Sequence, residues 1–243
     1  MSGGAREDCF NIFHPRLFII LIYTFFISAA VTGAETPGDK VTRLEHFELE
    51  HHGSFSASDL LNIRRDLMNV RREVGRDFAG YFPKKTIPVV LTDPDLFQSE
   101  LTMPENVSGL FNGKIHIPIP DDKSKKSKMQ GVLWHEYTHA LIYELAGNKA
   151  PRWYNEGMAV YQESKKRNSL KQRDESVSLI GPQVFNLEAL EDRLSSDRYD
   201  RDMLNAYNAA YAYCRYLFER FAKTKQLEFL RDLKKSSGWK ESL

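Results

Sequence analysis

The chain has 243 residues, 42% of them apolar and 28% charged, with 34 lysines and arginines against 33 aspartates and glutamates. A net charge of +1 leaves no basic surplus to track a phosphate backbone, so nucleic acid is not an expected partner. Two cysteines exclude a disulfide-stapled scaffold, and the length suits one domain with a sizeable core.

The first feature in chain order is an address. Leu17 to Val31 is an apolar run preceded by Arg16 and followed by Thr32-Gly33-Ala34-Glu35, whose small residues suit signal peptidase. The expected organisation is a signal peptide over residues 1–34 and a single exported domain, periplasmic or secreted, over 35–243. The run is short for a membrane span, so the membrane is a partner only if the segment stays uncleaved as an anchor. Cys214 alone then remains, buried on its helix with no internal disulfide.

Arg43 to His51 alternates with Phe47 and Leu49 on one side, the pattern of a half-buried strand. Ser56 to Gly80 reads as a helix: Leu60, Ile63, Leu67, Val70, Val74 and Phe78 recur at three- and four-residue intervals, and Gly80 ends it. Thr86 to Leu91 is a short apolar strand. Asn106-Val107-Ser108 matches a glycosylation acceptor, a common triplet. Lys114 to Pro120 alternates Ile115, Ile117 and Ile119 with His116 and Pro118; a proline lacks a ladder donor, which assigns this strand to an edge. An edge there can take an extended peptide as an added strand, making Ile115, His116 and Ile117 candidate substrate-binding residues. Ser127-x-x-Gln130 is a candidate capping box for the helix that follows.

That helix carries the chemistry. His135-Glu136-Tyr137-Thr138-His139 lies inside the apolar stretch Gly131 to Ala146. Positions i and i+4 share a helix face about 6 Å apart, so His135 and His139 can ligate one metal ion, and Glu136 flanks the same face as a general base. A chance match would sit on a solvated face. Here Val132, Leu133, Trp134, Ala140, Leu141, Ile142 and Leu145 make the helix apolar nearly all round, so its histidines and carboxylate need a buried partner. One zinc ion satisfies them. Glu144 points away by roughly 140 to 180°. The helix stops at Gly147, and a second begins at Pro151 with Trp153-Tyr154-Asn155-Glu156-Gly157-Met158-Ala159. Small residues beside Glu156 allow close helix approach, which makes it the third ligand and leaves the fourth position to water. Trp134 and Tyr154 are expected to frame the site.

His135-Glu136-x-x-His139, then sixteen residues, then Asn155-Glu156-Gly157-x-Ala159-x-Tyr161 resembles the gluzincin zinc metallopeptidases. More narrowly, Pro151-x-Trp153-x-x-Glu156-Gly157-x-Ala159 is similar to the bacterial peptidase MA-like domain. A metzincin would need glycine at Ile142 and histidine at Leu145. The Gly-x-Met-Glu-Asn element of gluzincin aminopeptidases is absent, so an exopeptidase is not supported. The resemblance extends over about residues 44–235, and its specific part over 131–161. It implies an α+β, zincin-like domain: a small mixed sheet with an edge strand packed over the motif helix, then a mostly helical C-terminal part. The sheet-bearing half would be 41–147 and the helical half 151–235. It also implies one zinc per chain and a peptide or protein substrate.

Glu163 to Ser178 reads as a solvated, charged loop, and Leu187 to Leu194 as a short helix. Asp202 to Lys223 is a helix with Leu204, Tyr207, Tyr211, Cys214, Phe218 and Phe221 on one core-facing stripe. Tyr207 resembles a family tyrosine that stabilises the oxyanion, with Tyr211 the next candidate. The expected function is an exported zinc endopeptidase. Its alternatives are a non-catalytic exported scaffold with a structural metal site and a metal-dependent hydrolase of another bond.

Overall fold

The computed structural model describes residues 40–51, 56–92, 94–100, 108–119, 126–181, 186–196, 200–236 and 239. The segments read as a signal peptide and most of the glycosylation triplet lie outside the described residues.

A five-stranded mixed sheet opens the fold, and Arg43 to His51 is not one strand within it. β1 (Lys40–Arg43) and β2 (Phe47–His51) form an antiparallel hairpin whose turn is closed by the Leu44 N–H to Phe47 carbonyl bond at 2.8 Å. The turn interrupts the alternation that suggested a single run. α1 (Ala57–Asp77) follows, started by a capping box between Ser56 and Asp59, with Ile63, Leu67, Val70 and Val74 buried on one stripe. β3 (Ile87–Thr92) pairs parallel to β2, and α2 (Pro94–Glu100) leads onward.

β4 (Leu110–Phe111) and β5 (Ile115–Pro118) complete the sheet in the order β1-β2-β3-β5-β4. The edge is therefore β4, not β5. β5 pairs parallel to β3, and on its other side Ile115 and His116 are covered by Phe111 and Leu110. Pro118 stands at the end of β5, past the reach of the two-residue β4, where its missing donor leaves no gap in the ladder. Ile119 resumes bonding to the Thr92 carbonyl at 2.8 Å.

α3 (Lys126–Ala146) carries the motif and lies under the sheet, packed against β4 and β5, α1, α4 and α8. Every residue from Gly131 to Ile142 is buried, as apolar flanks on all sides demand. Ser127 and Gln130 do not cap it, because the helix has already begun at Lys126. The Gln130 amide instead donates to both carboxylate oxygens of Asp66 at 3.0 Å. A 3-10 turn (Gly147–Lys149), entered through Gly147 at φ 65°, reverses the chain into α4 (Arg152–Lys166).

The stretch read as a loop is the end of α4 and the whole of α5 (Leu170–Ser178). Several of its charges have partners on other elements: Lys165 reaches Asp77, and the Lys166 ammonium lies 3.8 Å from the Trp134 ring centroid. α6 (Leu187–Leu194), α7 (Arg201–Arg220) and α8 (Lys223–Lys235) finish the helical part. α7 presents Tyr207, Tyr211 and Cys214 to the core, while Phe221 falls past its end and is about half exposed. One hydrophobic cluster joins the sheet, α1, α3, α4 and the later helices. Among the described residues no helix is long and apolar enough to cross a membrane.

Candidate metal centre

α3 and α4 cross so that His135, His139 and Glu156 meet. One ligating atom from each lies within 4.8 Å of the others, and all three residues are buried. Glu156 Oε2 stands 3.9 Å from His135 Nε2 and 3.8 Å from His139 Nε2. Ligands of a tetrahedral zinc at about 2.0 to 2.2 Å are separated by roughly 3.4 Å, so the trio is slightly expanded around such an ion. The polar inventory supports the fit. His135 Nε2, His139 Nε2 and both carboxylate oxygens of Glu156 are buried without a hydrogen-bond partner among the described residues. Four buried polar atoms without a hydrogen-bond partner at one point are costly unless an ion joins them. Two imidazoles and a carboxylate suit zinc.

The approach of α4 depends on Gly157. A Cβ there would lie 2.3 Å from the Ala210 carbonyl oxygen and 2.6 Å from Cys214 Sγ, so α7 presses directly on the α4 backbone beside Glu156. Glu191 of α6 fixes the start of α4 by accepting the backbone N–H groups of Arg152 at 3.0 Å and Trp153 at 3.1 Å.

Both imidazoles are held from behind. His139 Nδ1 is 2.9 Å from Asn155 Oδ1, and His135 Nδ1 is 3.3 Å from Glu163 Oε2. Arg167 in turn donates to Glu163 Oε1 at 2.9 Å. These contacts set each ring so that Nε2 faces the point where the three side chains meet. Neither partner was anticipated in that role. Asn155 adjoins Glu156, and Glu163 follows it by seven residues, two turns along one helix face. That spacing was the available signal; the surrounding charges masked it.

Electrostatics in the cluster follow from three buried carboxylates around two rings. Burial lowers the His135 pKa, yet Glu156, Glu163 and Glu136 outweigh it and raise it to about 10. Burial brings His139 down to about 4. Glu156 and Glu163 are held below the ordinary carboxylate range: burial opposes this, and the histidines, with Arg152 and Arg167 respectively, overcome it. Burial raises Glu136 to about 8, helped by Glu156 and Glu163 against the pull of His135. Its two oxygens have no partner among the described residues. Next to it runs the start of the sheet edge: a Cβ on Gly109 would lie 2.8 Å from Glu136 Oε1 and 2.4 Å from Val132 Cγ1, so only glycine lets the chain entering β4 pass this close.

A cleft of about 340 Å³ opens against His139, Asn155, Arg152, Tyr143 and Phe111. The other expected contributors stand elsewhere. Ile115 and Ile117 are buried in the core, and His116 lies 3.1 Å from Asn112 Oδ1 at the β4–β5 turn. Trp134 and Tyr154 do not frame the site. Trp134 donates to Glu73 of α1 at 3.1 Å, and Tyr154 packs on Trp153 and Phe229. Glu144 points away as expected, accepting the Tyr81 hydroxyl at 2.7 Å and the Lys84 N–H at 2.9 Å. Tyr207 is buried on α7 about one turn from Ala210, which meets Gly157.

Residues 123–241, nearly half of the chain, match the model of the collagenase family (peptidase M9), a family of zinc metallopeptidases. The match includes all three metal-facing residues, and it bears out the resemblance to zinc metallopeptidases read from the motif. No curated protein matches the chain.

Proposed function

We propose, with the collagenase-family match over residues 123–241 as premise, that this chain is an exported zinc endopeptidase in which Glu136 is the general base. The observation that carries the reading is the buried set of polar atoms without hydrogen-bond partners on His135, His139 and Glu156, with a second such carboxylate, Glu136, beside it. A zinc ion at such a site polarises a carbonyl and brings the pKa of water toward neutrality. His135, His139 and Glu156 would hold the ion, while Glu163 and Asn155 orient the rings. Glu136 would accept the proton of the attacking water and return it to the leaving amine, its two carboxylate oxygens buried and without a hydrogen-bond partner among the described residues. A structural metal site has no use for that free carboxylate, which argues against a scaffold.

Substrate would lie along β4. That strand ends the sheet, begins beside Glu136 through Gly109 and borders the cleft through Phe111, so an extended peptide added there would run past the metal-facing residues. Backbone pairing of this kind needs no free terminus. Tyr207 is kept as the oxyanion candidate. The family's printed name is collagenase; for this chain the class proposed is peptide or protein.

Peptides blocked at both ends should be cut internally by the zinc-loaded protein, and His139→Ala should lose the metal. Full zinc occupancy in His139→Ala would overturn the ligand set. Removal of terminal residues from free-ended peptides only would overturn the endopeptidase mode. For export, the expected product is an extracytoplasmic protein beginning near Glu35; full-length chain confined to the cytoplasm would contradict it.

A further inference from the structure

We propose that substrates of this site carry acidic side chains three to four residues from the cut bond, held in a basic pocket beyond Tyr143; this rests on the peptidase reading. A second cavity, of about 730 Å³, adjoins the cleft at His139, and the walls of both include Phe111, Gly113, Tyr143 and Gly147. The two form one trough. Its middle is aromatic, with the exposed Tyr143 ring edge-on to Phe111 at 5.9 Å.

The far end is cationic: Lys84, Lys85, Arg231 and Lys234 line it, and all four are exposed. Arg231 and Lys234 are positioned there. The Arg231 guanidinium lies 5.8 Å from the Tyr81 ring centroid, and the Lys234 ammonium donates to the Glu144 carbonyl at 3.0 Å. Among the described lining residues the acidic one is Glu144, whose carboxylate already accepts the Tyr81 hydroxyl and the Lys84 N–H. Four cations against one engaged carboxylate, on a chain whose net charge is only +1, is a local concentration of positive field inside a concave wall. Such a field selects anions.

The spacing fits a peptide. The second pocket begins where the two cavities share Gly147, about 12 Å from His139 at about 1.5 Å per residue. An extended chain covers that distance in three to four residues at about 3.3 Å each. A chain lying in the cleft therefore delivers its third and fourth side chains to the pocket, which makes an acidic peptide segment the occupant.

Two doubly blocked peptides test this, identical except for Glu or Gln at the third and fourth positions on both sides of a cleaved bond. On the zinc-loaded full chain, kcat/KM should favour the Glu peptide by about tenfold, the scale of two partly exposed charge pairs, and the preference should shrink with salt. Lys84→Glu with Lys85→Glu should abolish or invert it. The same charge change on the exposed face of α1, Arg64→Glu with Arg65→Glu, should preserve it. Equal cleavage of both peptides by the parent, or a preference that survives the change at Lys84 and Lys85, would overturn the pocket. Anisotropy of the labelled peptides on zinc-loaded Glu136→Gln separates the two readings. Tighter binding of the Glu peptide, lost on reversal of Lys84 and Lys85, sustains the pocket even if no peptide is ever hydrolysed. Hydrolysis without discrimination sinks the pocket and leaves the peptidase.

Discussion

Removing the Glu163 carboxylate should weaken zinc binding without unfolding the protein. Its Oε2 lies 3.3 Å from His135 Nδ1, with the His135 side chain fully buried and that of Glu163 4% exposed, so no water can replace the contact easily. Groups that orient a ligating histidine are worth about 10- to 100-fold in metal affinity, or about 1.4 to 2.8 kcal/mol. Glu163→Gln keeps an acceptor of nearly the same shape and loses the charge, so it belongs near tenfold. Glu163→Ala loses both and belongs near a hundredfold. The cost to the fold should be small, because Arg167, released from its 2.9 Å bond, is 30% exposed and can turn to water. The assay is competition for zinc against a chromogenic chelator, with thermal melts of the metal-free proteins as the control. Zinc affinity equal to the parent's in both variants, with unchanged melts, would refute the claim that Glu163 sets the His135 ring.

Asn155→Ala should act likewise through His139, weakening zinc by about tenfold or more and leaving circular dichroism unchanged. Gly157→Val should destabilise by about 1 to 3 kcal/mol and lower zinc occupancy, since a side chain meets the Ala210 carbonyl at 2.3 Å and α4 must move with Glu156 on it; an unchanged melting temperature would contradict the contact. Asp77 gives the pH dependence. Burial pushes its carboxyl up, but Lys165, Lys223 at 2.8 Å and Gln162 at 3.0 Å hold it below the usual range. A depressed folded pKa stabilises above the unfolded value of about 3.9 and is lost as pH falls through the folded one. Asp77→Asn should therefore cost about 1 to 3 kcal/mol at pH 7, with the difference from the parent shrinking below about pH 4 in melts across pH.

That His135 and His139 come together was legible because the geometry is local: i and i+4 histidines need only a helix to share a face, and an apolar helix makes them conspicuous. Glu156 was legible from its apolar, small-residue setting. What escaped depends on where helices cross. Glu163 and Lys165 look like solvated charges until α4 is laid on α3 and α1, where each finds a buried partner. Trp134, adjoining His135 in sequence, turns to Glu73 on another face of the helix, since neighbours in a helix point about 100° apart. The edge strand was assigned one hairpin arm too late because Pro118 marks the end of β5, whereas β4, only two residues long, leaves no periodic trace. Gly109 had no signal beyond being a glycine; its meaning appears only with Glu136 beside it.

Glu136→Gln separates proton transfer from metal binding most directly. Purified parent and variant, stripped with chelator and reloaded with zinc, should each hold one ion per chain, and the variant should cut a doubly blocked peptide at least about a hundredfold more slowly. Equal rates at equal zinc content, or loss of zinc from the variant, would contradict a site in which His135, His139 and Glu156 hold the metal and Glu136 moves the proton.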